Sequence, residues 1–365
     1  MFKLEPRAQT SLALAISAPL LALAITVLIG IALFAALGKD PVQALQLFFV
    51  EPLKNGRALS ELSVKAVPLA LIALGLAVCF RAGIWNIGAE GQFVLGAIVA
   101  GWVAMQAGPG TSAWFVVPVL LGGVVGGMLW AGAVALLRDR FNTNEILVSL
   151  MLVYVATLLL NYLVYGPWKD PDGYNFPQTV LFDASTRLPR LVQGLRMNAG
   201  VVIAVVAVVG FALFQFRTYR GFALTVGGIA PAAARYAGFS SRSALWIALL
   251  LSGGMAGLAG ALEVAGPLGQ LTPYVPVGYG FAAIIVAFVG RLHPVGIVFS
   301  AVLMSMFYIG GELAQSRLGL PKALTSVFQG LLLFTLLACD HGLQYRMRWV
   351  AAAKEKAKAR VGAPA

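Results

Sequence analysis

Asn86, Glu90 and Gln92 stand close together in RAGIWNIGAEGQ (81–92), wedged between two apolar runs that are each long enough to cross a bilayer. Two amides and a carboxylate at this spacing can hydrogen-bond a polar solute, or can brace a chain that breaks inside hydrocarbon. Irregular backbone at such a depth survives where protein buries it or where it lines a watery cavity, so the segment points to a pathway through a membrane. Gln270 and Tyr279, in the glycine- and proline-rich stretch GPLGQLTPYVPVGYG (266–280), and Asn144, in FNTNEI (141–146), complete the candidate set for the route or its supports.

Other chemistry finds nothing to build on. No GxxxxGK[ST] phosphate loop occurs, so the chain is not by itself a P-loop ATPase, and energy must come from a partner or an ion gradient. His293 and His341 belong to no HExxH pattern, and Cys79 and Cys339 match no metal or redox spacing, so neither a catalytic residue nor a metal site is expected. An ionisable side chain inside a membrane is a functional candidate by default, because inserting it costs about 2.5–3.5 kcal/mol. Glu90, Glu263 and Glu145 lie nearest to the apolar runs. Glu90 has two readings, a clamp that accepts backbone N–H bonds and a direct contact to solute. Glu263 suits a headgroup level as well as a buried one. Glu145 follows the capping residues Asn142, Thr143 and Asn144, where a carboxylate complements the helix dipole.

The elements that must position these residues are membrane helices. Hydrophobic residues make up 60% of the 365 and charged ones 11%, with mean hydropathy +0.87, a balance no ordinary soluble domain has. Apolar runs of spanning length predict an all-α polytopic protein of about ten helices, near 11–37, 62–80, 87–105, 114–137, 144–165, 198–216, 243–264, 275–290, 294–311 and 323–339. The first run is too long for a signal-peptide core and reads as a retained helix. Ten helices put both termini on one side. Sixteen Lys and Arg lie on that side against ten on the other, which makes the termini cytoplasmic and leaves 340–365 as a basic cytoplasmic tail. The net charge of +12 is thus explained by topology, and its scatter over short loops argues against a nucleic-acid partner.

Two loops exceed simple connections. The outer one, 166–197, suits a lid or docking surface. The inner one, 217–242, holds an alanine-rich stretch, Pro231 to Ala237, that suits a short helix on the cytoplasmic face or a plain linker. The two glycine-interrupted breaks, 81–92 and 266–280, fall on opposite faces in corresponding halves, the pattern of an inverted repeat around a transport site. Glycine runs at 122–127 and 253–260 permit close helix crossing.

In their order along the chain, FRAGIWNIGAEGQ (80–92), FNTNEI (141–146), FRTYRGFALTVGGIAPAAARYAGFSSR (216–242) and SGGMAGLAGALEVAG (252–266) resemble the permease subunit of bacterial ABC importers in the ribose and branched-chain amino acid permease superfamily. NIGAEGQ is similar to the nucleoside-type branch, which works with a basic-membrane-protein-like lipoprotein. The resemblance runs from about Glu61 to Cys339. It implies a multi-pass permease of the bacterial inner membrane, paired with a second homologous permease, an ABC ATPase and an extracytoplasmic solute-binding lipoprotein. It also implies that this chain holds no cofactor and that ATP and Mg bind to the ATPase. The loop 217–242 would carry the coupling helix, with Arg217, Gly227, Gly228, Ala232, Ala233, Ala234, Arg235, Tyr236, Ala237 and Gly238 at the ATPase contact, small residues letting a short helix seat in a groove. On that placement Ala234→Glu is expected to uncouple ATP hydrolysis from uptake without disturbing insertion. The family pattern has Asn before the proline of this loop, where this chain reads Gly228, Ile229, Ala230, Pro231, and GFAAIIVAFVG (280–290) replaces its usual eighth-helix string.

The function so implied is import of a nucleoside or similar small polar solute by alternating access, with no covalent step. A sugar or amino-acid permease of the same superfamily is the nearest alternative. An ion-coupled secondary transporter using Glu90 or Glu263, and a scaffolding membrane subunit, are the other classes.

Overall fold

The computed structural model describes residues 2–6, 12–108 and 110–349, giving only the backbone for 2–6, 12–16, 340–341 and 343–349. Thirteen α-helices carry most of it: α1 (Leu12–Ala36), α2 (Pro41–Phe49), α3 (Gly56–Arg81), α4 (Ala89–Ala104), α5 (Val116–Phe141), α6 (Glu145–Tyr165), α7 (Gly200–Arg217), α8 (Tyr219–Ile229), α9 (Pro231–Tyr236), α10 (Ser241–Glu263), α11 (Tyr279–Val289), α12 (Pro294–Leu318) and α13 (Ala323–Gln344). Two short strands, β1 (Phe2–Pro6) and β2 (Tyr345–Trp349), pair antiparallel. They qualify the all-α expectation at the chain ends. Of the expected basic tail 340–365, the first residues continue α13 and form β2, and those from 350 onward lie outside the described residues.

Each of the ten expected apolar runs carries a helix. Seven helices or helical stretches are long and apolar enough to cross a membrane, while α4, α11 and the apolar part of α13 (Ala323–Cys339) are shorter. Large apolar side chains stand exposed along them, among them Leu28 on α1, Leu129 on α5, Leu158 on α6, Val206 on α7 and Phe299 on α12. A surface of that kind is stable against lipid and not against water. The chain is a polytopic membrane protein.

Several helix ends differ from the expected ones for local reasons. Asn55 caps α3, its Oδ1 accepting the Ala58 N–H (2.8 Å), so that helix starts before the apolar run does. The polar turn holding Glu312 and Arg317 continues α12 beyond its apolar stretch until Gly319, in the left-handed region, ends it. Conversely, α11 starts later than hydropathy suggests, because residues 275–278 are irregular and Gly278 takes φ +87°.

Packing divides the chain into two compact units, Met1–Leu45 with Pro321–Ala365, and Gln46–Leu320. In the first, α1 meets α13. The Phe34 and Phe328 rings lie 5.4 Å apart, and the buried Thr26 and Thr335 hydroxyls share a 3.0 Å hydrogen bond, one donating to the other while the acceptor's own proton goes back to a carbonyl of its helix. In the second, α10 is the central helix and α3, α4 and α5 pack directly on it. Gly96 of α4, Gly123 and Gly127 of α5 and Gly257 of α10 meet backbone to backbone, and a Cβ added at Gly257 would strike the Gly123 carbonyl oxygen. Small residues are what allow three helices to cross this closely.

Candidate functional site

The two chain breaks enter this second unit from opposite ends. Cys79, near the end of α3, donates to the Ala248 carbonyl near the start of α10 (3.2 Å), whereas Val64 and Val67, early in α3, lie beside Leu262 and Glu263 at the end of α10. The helices are therefore antiparallel. The break after α3 and the break after α10 lie at opposite ends of the pair.

Both breaks lead to interior helix starts. The amide Nδ2 of Asn86 donates to Oγ of Ser252 (3.0 Å), which sits midway along α10, so the chain has re-entered to mid-depth before α4 begins. There Asn86 and Gln92 form a closed amide pair. Asn86 Nδ2 donates to Gln92 Oε1 (3.0 Å), Gln92 Nε2 donates to Asn86 Oδ1 (3.1 Å), and the Gly88 N–H also donates to Asn86 Oδ1 (3.2 Å). All of it is buried. Satisfied in this way, polar groups hold an irregular turn that would be costly if left unpaired.

Glu90, in the first turn of α4, reaches the start of α11. Its Oε1 accepts the Gly278 N–H (2.8 Å) and its Oε2 the Gly280 N–H (2.5 Å). A helix start leaves backbone N–H groups without intrahelical partners and carries the positive end of the dipole. Here a buried carboxylate carried by the first turn of α4 accepts two free N–H groups at the start of α11. Gly280 has no alternative, because a Cβ there would collide with the backbone of Ala89 and Glu90. Tyr279, between the two donors, is buried edge-on against the rings of Phe93 (6.0 Å) and Tyr308 (5.4 Å).

The candidate residues thus separate. Asn86, Glu90 and Gln92 are brought together as the braces of two broken helices, with their hydrogen bonds made to protein, and Tyr279 joins them through its ring contacts. Gln270 lies apart, its Nε2 donating to Gln178 Oε1 (3.1 Å). Asn144 does not join them at all. It is exposed and caps α6, its Oδ1 accepting the Ile146 N–H (2.9 Å), while Glu145 pairs with Arg138 (3.4 Å). Asn144→Ala is expected to cost about 1 kcal/mol of local helix stability and to leave uptake within roughly twofold of wild type, readable as a small drop in the melting temperature of the purified subunit.

The loop 166–197 is laid along the second break. The Thr179 N–H donates to the Leu271 carbonyl (3.0 Å), Phe182 N–H to Gly269 (2.8 Å) and Leu188 N–H to Ala265 (2.8 Å). Within it the Ser185 backbone N–H holds the Asp183 carboxyl below the usual carboxylate range. Sequence reasoning missed Ser252, Gly278 and Gly280 as partners. It also missed the stack of Phe80 on Phe288 (5.0 Å), with Trp85 beside both, at the first break. The only available signal was the aromatic residues flanking the glycine-rich segment.

The loop 217–242 folds as two helices, α8 and α9, where one short helix or a linker was expected. Thr218 caps α8, and Phe239 packs edge-on against Tyr219 and Phe222. This corrects part of the proposed contact. Ala234 is only 4% exposed and lines a cavity of about 230 Å³ behind α9, so a glutamate there would place its charge in that cavity and not on the outward face. Gly228 also faces inward, close against the Arg81 carbonyl at the end of α3. Gly227 lines the cavity with Ala234. The outward face consists of Ala232, Ala233, Arg235, Ala237, Gly238 and Tyr236, which is 97% exposed, with Arg217 exposed at the end of α7.

A family model described as branched-chain amino acid transport system / permease component matches residues 58–337. The chain is 35% identical to a glucose ABC transporter permease protein, TsgB13, of Haloferax volcanii, over 94% of this chain and 93% of that protein. It is 30% identical to a guanosine ABC transporter permease protein, NupP, of Bacillus subtilis, over 77% and 80% of the two chains. With a nucleoside ABC transporter permease protein, NupB, of Lactococcus lactis it shares 27% identity over 87% and 89%.

Proposed function

The chain belongs to the branched-chain amino acid transport system permease family, and from that premise we propose that it is the membrane subunit of an ATP-driven importer for a solute carrying a hydroxylated sugar ring, a nucleoside or a related sugar. The observation that carries this reading is the reach of the family match, from early in α3 to late in α13, which takes in both broken helices and the loop 217–242. The solute class follows from what glucose, guanosine and nucleosides have in common.

The subunit is a transport component. Ten helices cross the inner membrane as an inverted repeat, with both termini and the loop 217–242 in the cytoplasm, a topology supported by the sixteen-to-ten division of Lys and Arg. A second homologous permease completes the pathway. An ABC ATPase binds ATP and Mg and grips α9, and a solute-binding lipoprotein docks on the opposite face, near the loop 166–197. ATP closure at one face and lipoprotein docking at the other each shift the bundle between two conformations, as far as their differential affinities allow.

Loading cells with labelled guanosine or glucose tests the class. Uptake that requires this chain, collapses on ATP depletion and survives an uncoupler is expected. Uptake that follows the uncoupler instead would make the protein an ion-coupled carrier. The ATPase contact has a separate test on the exposed face of α9. Ala233→Glu and Tyr236→Asp are expected to leave the amount of membrane-inserted subunit unchanged and to lower ATP-driven uptake at least about tenfold, since a charge on that face must be desolvated against the partner. Wild-type uptake in both variants would move the contact elsewhere.

A further inference from the structure

Glu263 takes no part in the braces described above. It closes α10, is 8% exposed, and among the described residues no hydrogen bond or ion pair reaches its carboxylate. It borders a small cavity whose other walls include Val64, Val67, Pro68, Val201 and Asn198. The Asn198 Oδ1 already accepts the Gly200 N–H (2.9 Å).

Two cations act on Glu263 electrostatically, Lys65 and Arg196, and both are engaged elsewhere. Lys65 Nζ lies 2.8 Å from Glu312 and also approaches the Tyr308 ring, and Arg196 lies 3.0 Å from Glu61. Tyr279 is the other titratable group on which Glu263 acts, together with Tyr308, Glu312 and Glu90. Glu312 has a side chain 62% exposed, so its pair with Lys65 lies at the surface of the bundle. The opposite holds for Glu263, whose buried charge is costly until a cation comes close. Lys65 is the better placed of the two cations. Its side chain is only 16% exposed, and its neighbour Val64 lines the cavity. A flexible stem carrying a compact charge suits it to move between two acids.

We propose that Glu263 is a second seat for Lys65. In the conformation described here the ammonium pairs with Glu312 of α12, and in the opposite conformation of the transport cycle it turns into the cavity beside α10 and pairs with Glu263, leaving Glu312 to water. The exchange rests on the transport reading, because it needs a second state of the bundle. It makes α3 choose between α10 and α12, so each state has its own ion pair.

State-dependent cross-linking of the assembled transporter tests this. A carbodiimide joins the Lys65 amine to whichever carboxylate it pairs with, and the Lys65–Glu312 and Lys65–Glu263 cross-linked peptides are quantified by mass spectrometry in the resting state and after trapping with ATP and vanadate. The two yields are expected to change severalfold in opposite senses. Glu263→Gln is expected to slow uptake about tenfold at unchanged subunit level, with partial recovery in Glu263→Asp, which keeps the charge. Yields that do not move oppositely, or Glu263→Gln transporting like wild type, overturn the exchange. ATP-driven uptake by the wild-type complex is scored in parallel, so failure of the transport reading shows as its absence and failure of the exchange shows in its presence.

Discussion

Glu90→Ala is expected to reduce uptake by at least about a hundredfold and to lower the melting temperature of the purified subunit, because it removes the acceptor by which α4 holds the start of α11. The Gly278 and Gly280 N–H groups would both lose their partner inside the bundle, and each unsatisfied buried donor costs about 1–3 kcal/mol. Among the described residues neither N–H has another acceptor. The two positive helix ends would also face each other without the intervening carboxylate. Glu90→Gln separates bracing from charge. One amide oxygen can still accept a single N–H, but the NH2 group then points its donors at the other, so an intermediate loss of roughly 1–3 kcal/mol is expected. Uptake and thermal denaturation in the two variants check this. If Glu90→Ala melts and transports like wild type, the carboxylate is dispensable to the start of α11.

The loop 217–242 is positioned to act on the same brace. Gly228 of α8 rests on the Arg81 carbonyl, and Gly83 in the first break lies next to Gly228 in turn. Arg81 extends its guanidinium to the Leu292 carbonyl between α11 and α12 (3.1 and 3.0 Å). Displacing α9 and α8 therefore bears directly on the end of α3 and on the far end of α11. α11 would receive the push at its far end while its start stays clamped at Glu90. Packed interfaces shift between discrete arrangements and do not deform smoothly, which suits a two-state gate.

Much of this architecture was legible in the sequence, and for a definite reason. Length and apolarity locate helices in a membrane without help from tertiary contacts, so all ten runs carry one. Where the signal is instead amphipathic or polar it fades. α2 and α8 were missed because they are short and mixed, and the end of α12 because Glu312 and Arg317 interrupt its hydropathy. Asn86, Glu90 and Gln92 could be picked out as a set, since an acid and two amides amid apolar residues are costly unless engaged. Their partners could not. Gly278 and Gly280 act through backbone N–H groups that every residue has, and Ser252 sits in a run whose glycines read as packing. Asn144 was drawn into the set by its side chain, although a cap explains it fully. Ala234 was misplaced because alanine pattern alone does not tell the buried face of a six-residue helix from its exposed one.

Gly257→Leu is expected to eliminate folded subunit from the membrane, a larger effect than most core substitutions. A side chain at this position has no direction in which to relax. Its first carbon would meet the Gly123 carbonyl oxygen and the Gly127 backbone on α5, and Gly96 of α4 approaches the same Cα. Overpacking a well-filled interior costs about 1–3 kcal/mol where neighbouring side chains can yield. Here the neighbours are backbone, so α4, α5 and α10 would have to separate, and with them the Asn86–Gln92 pair on Ser252. The ion pair of Arg242 with Asp139 (2.7 Å), which ties the start of α10 to the end of α5, stands in the way of that separation. Gly210→Leu is the control, because Gly210 lies exposed on α7 with no atom within 4 Å of an added Cβ, and the same bulk there should leave expression and uptake near wild type. Immunoblots of membranes and size-exclusion profiles read both variants. A monodisperse Gly257→Leu subunit at normal abundance would mean that the three helices do not need their backbone contact, and that the buried brace they surround is held by something other than this crossing.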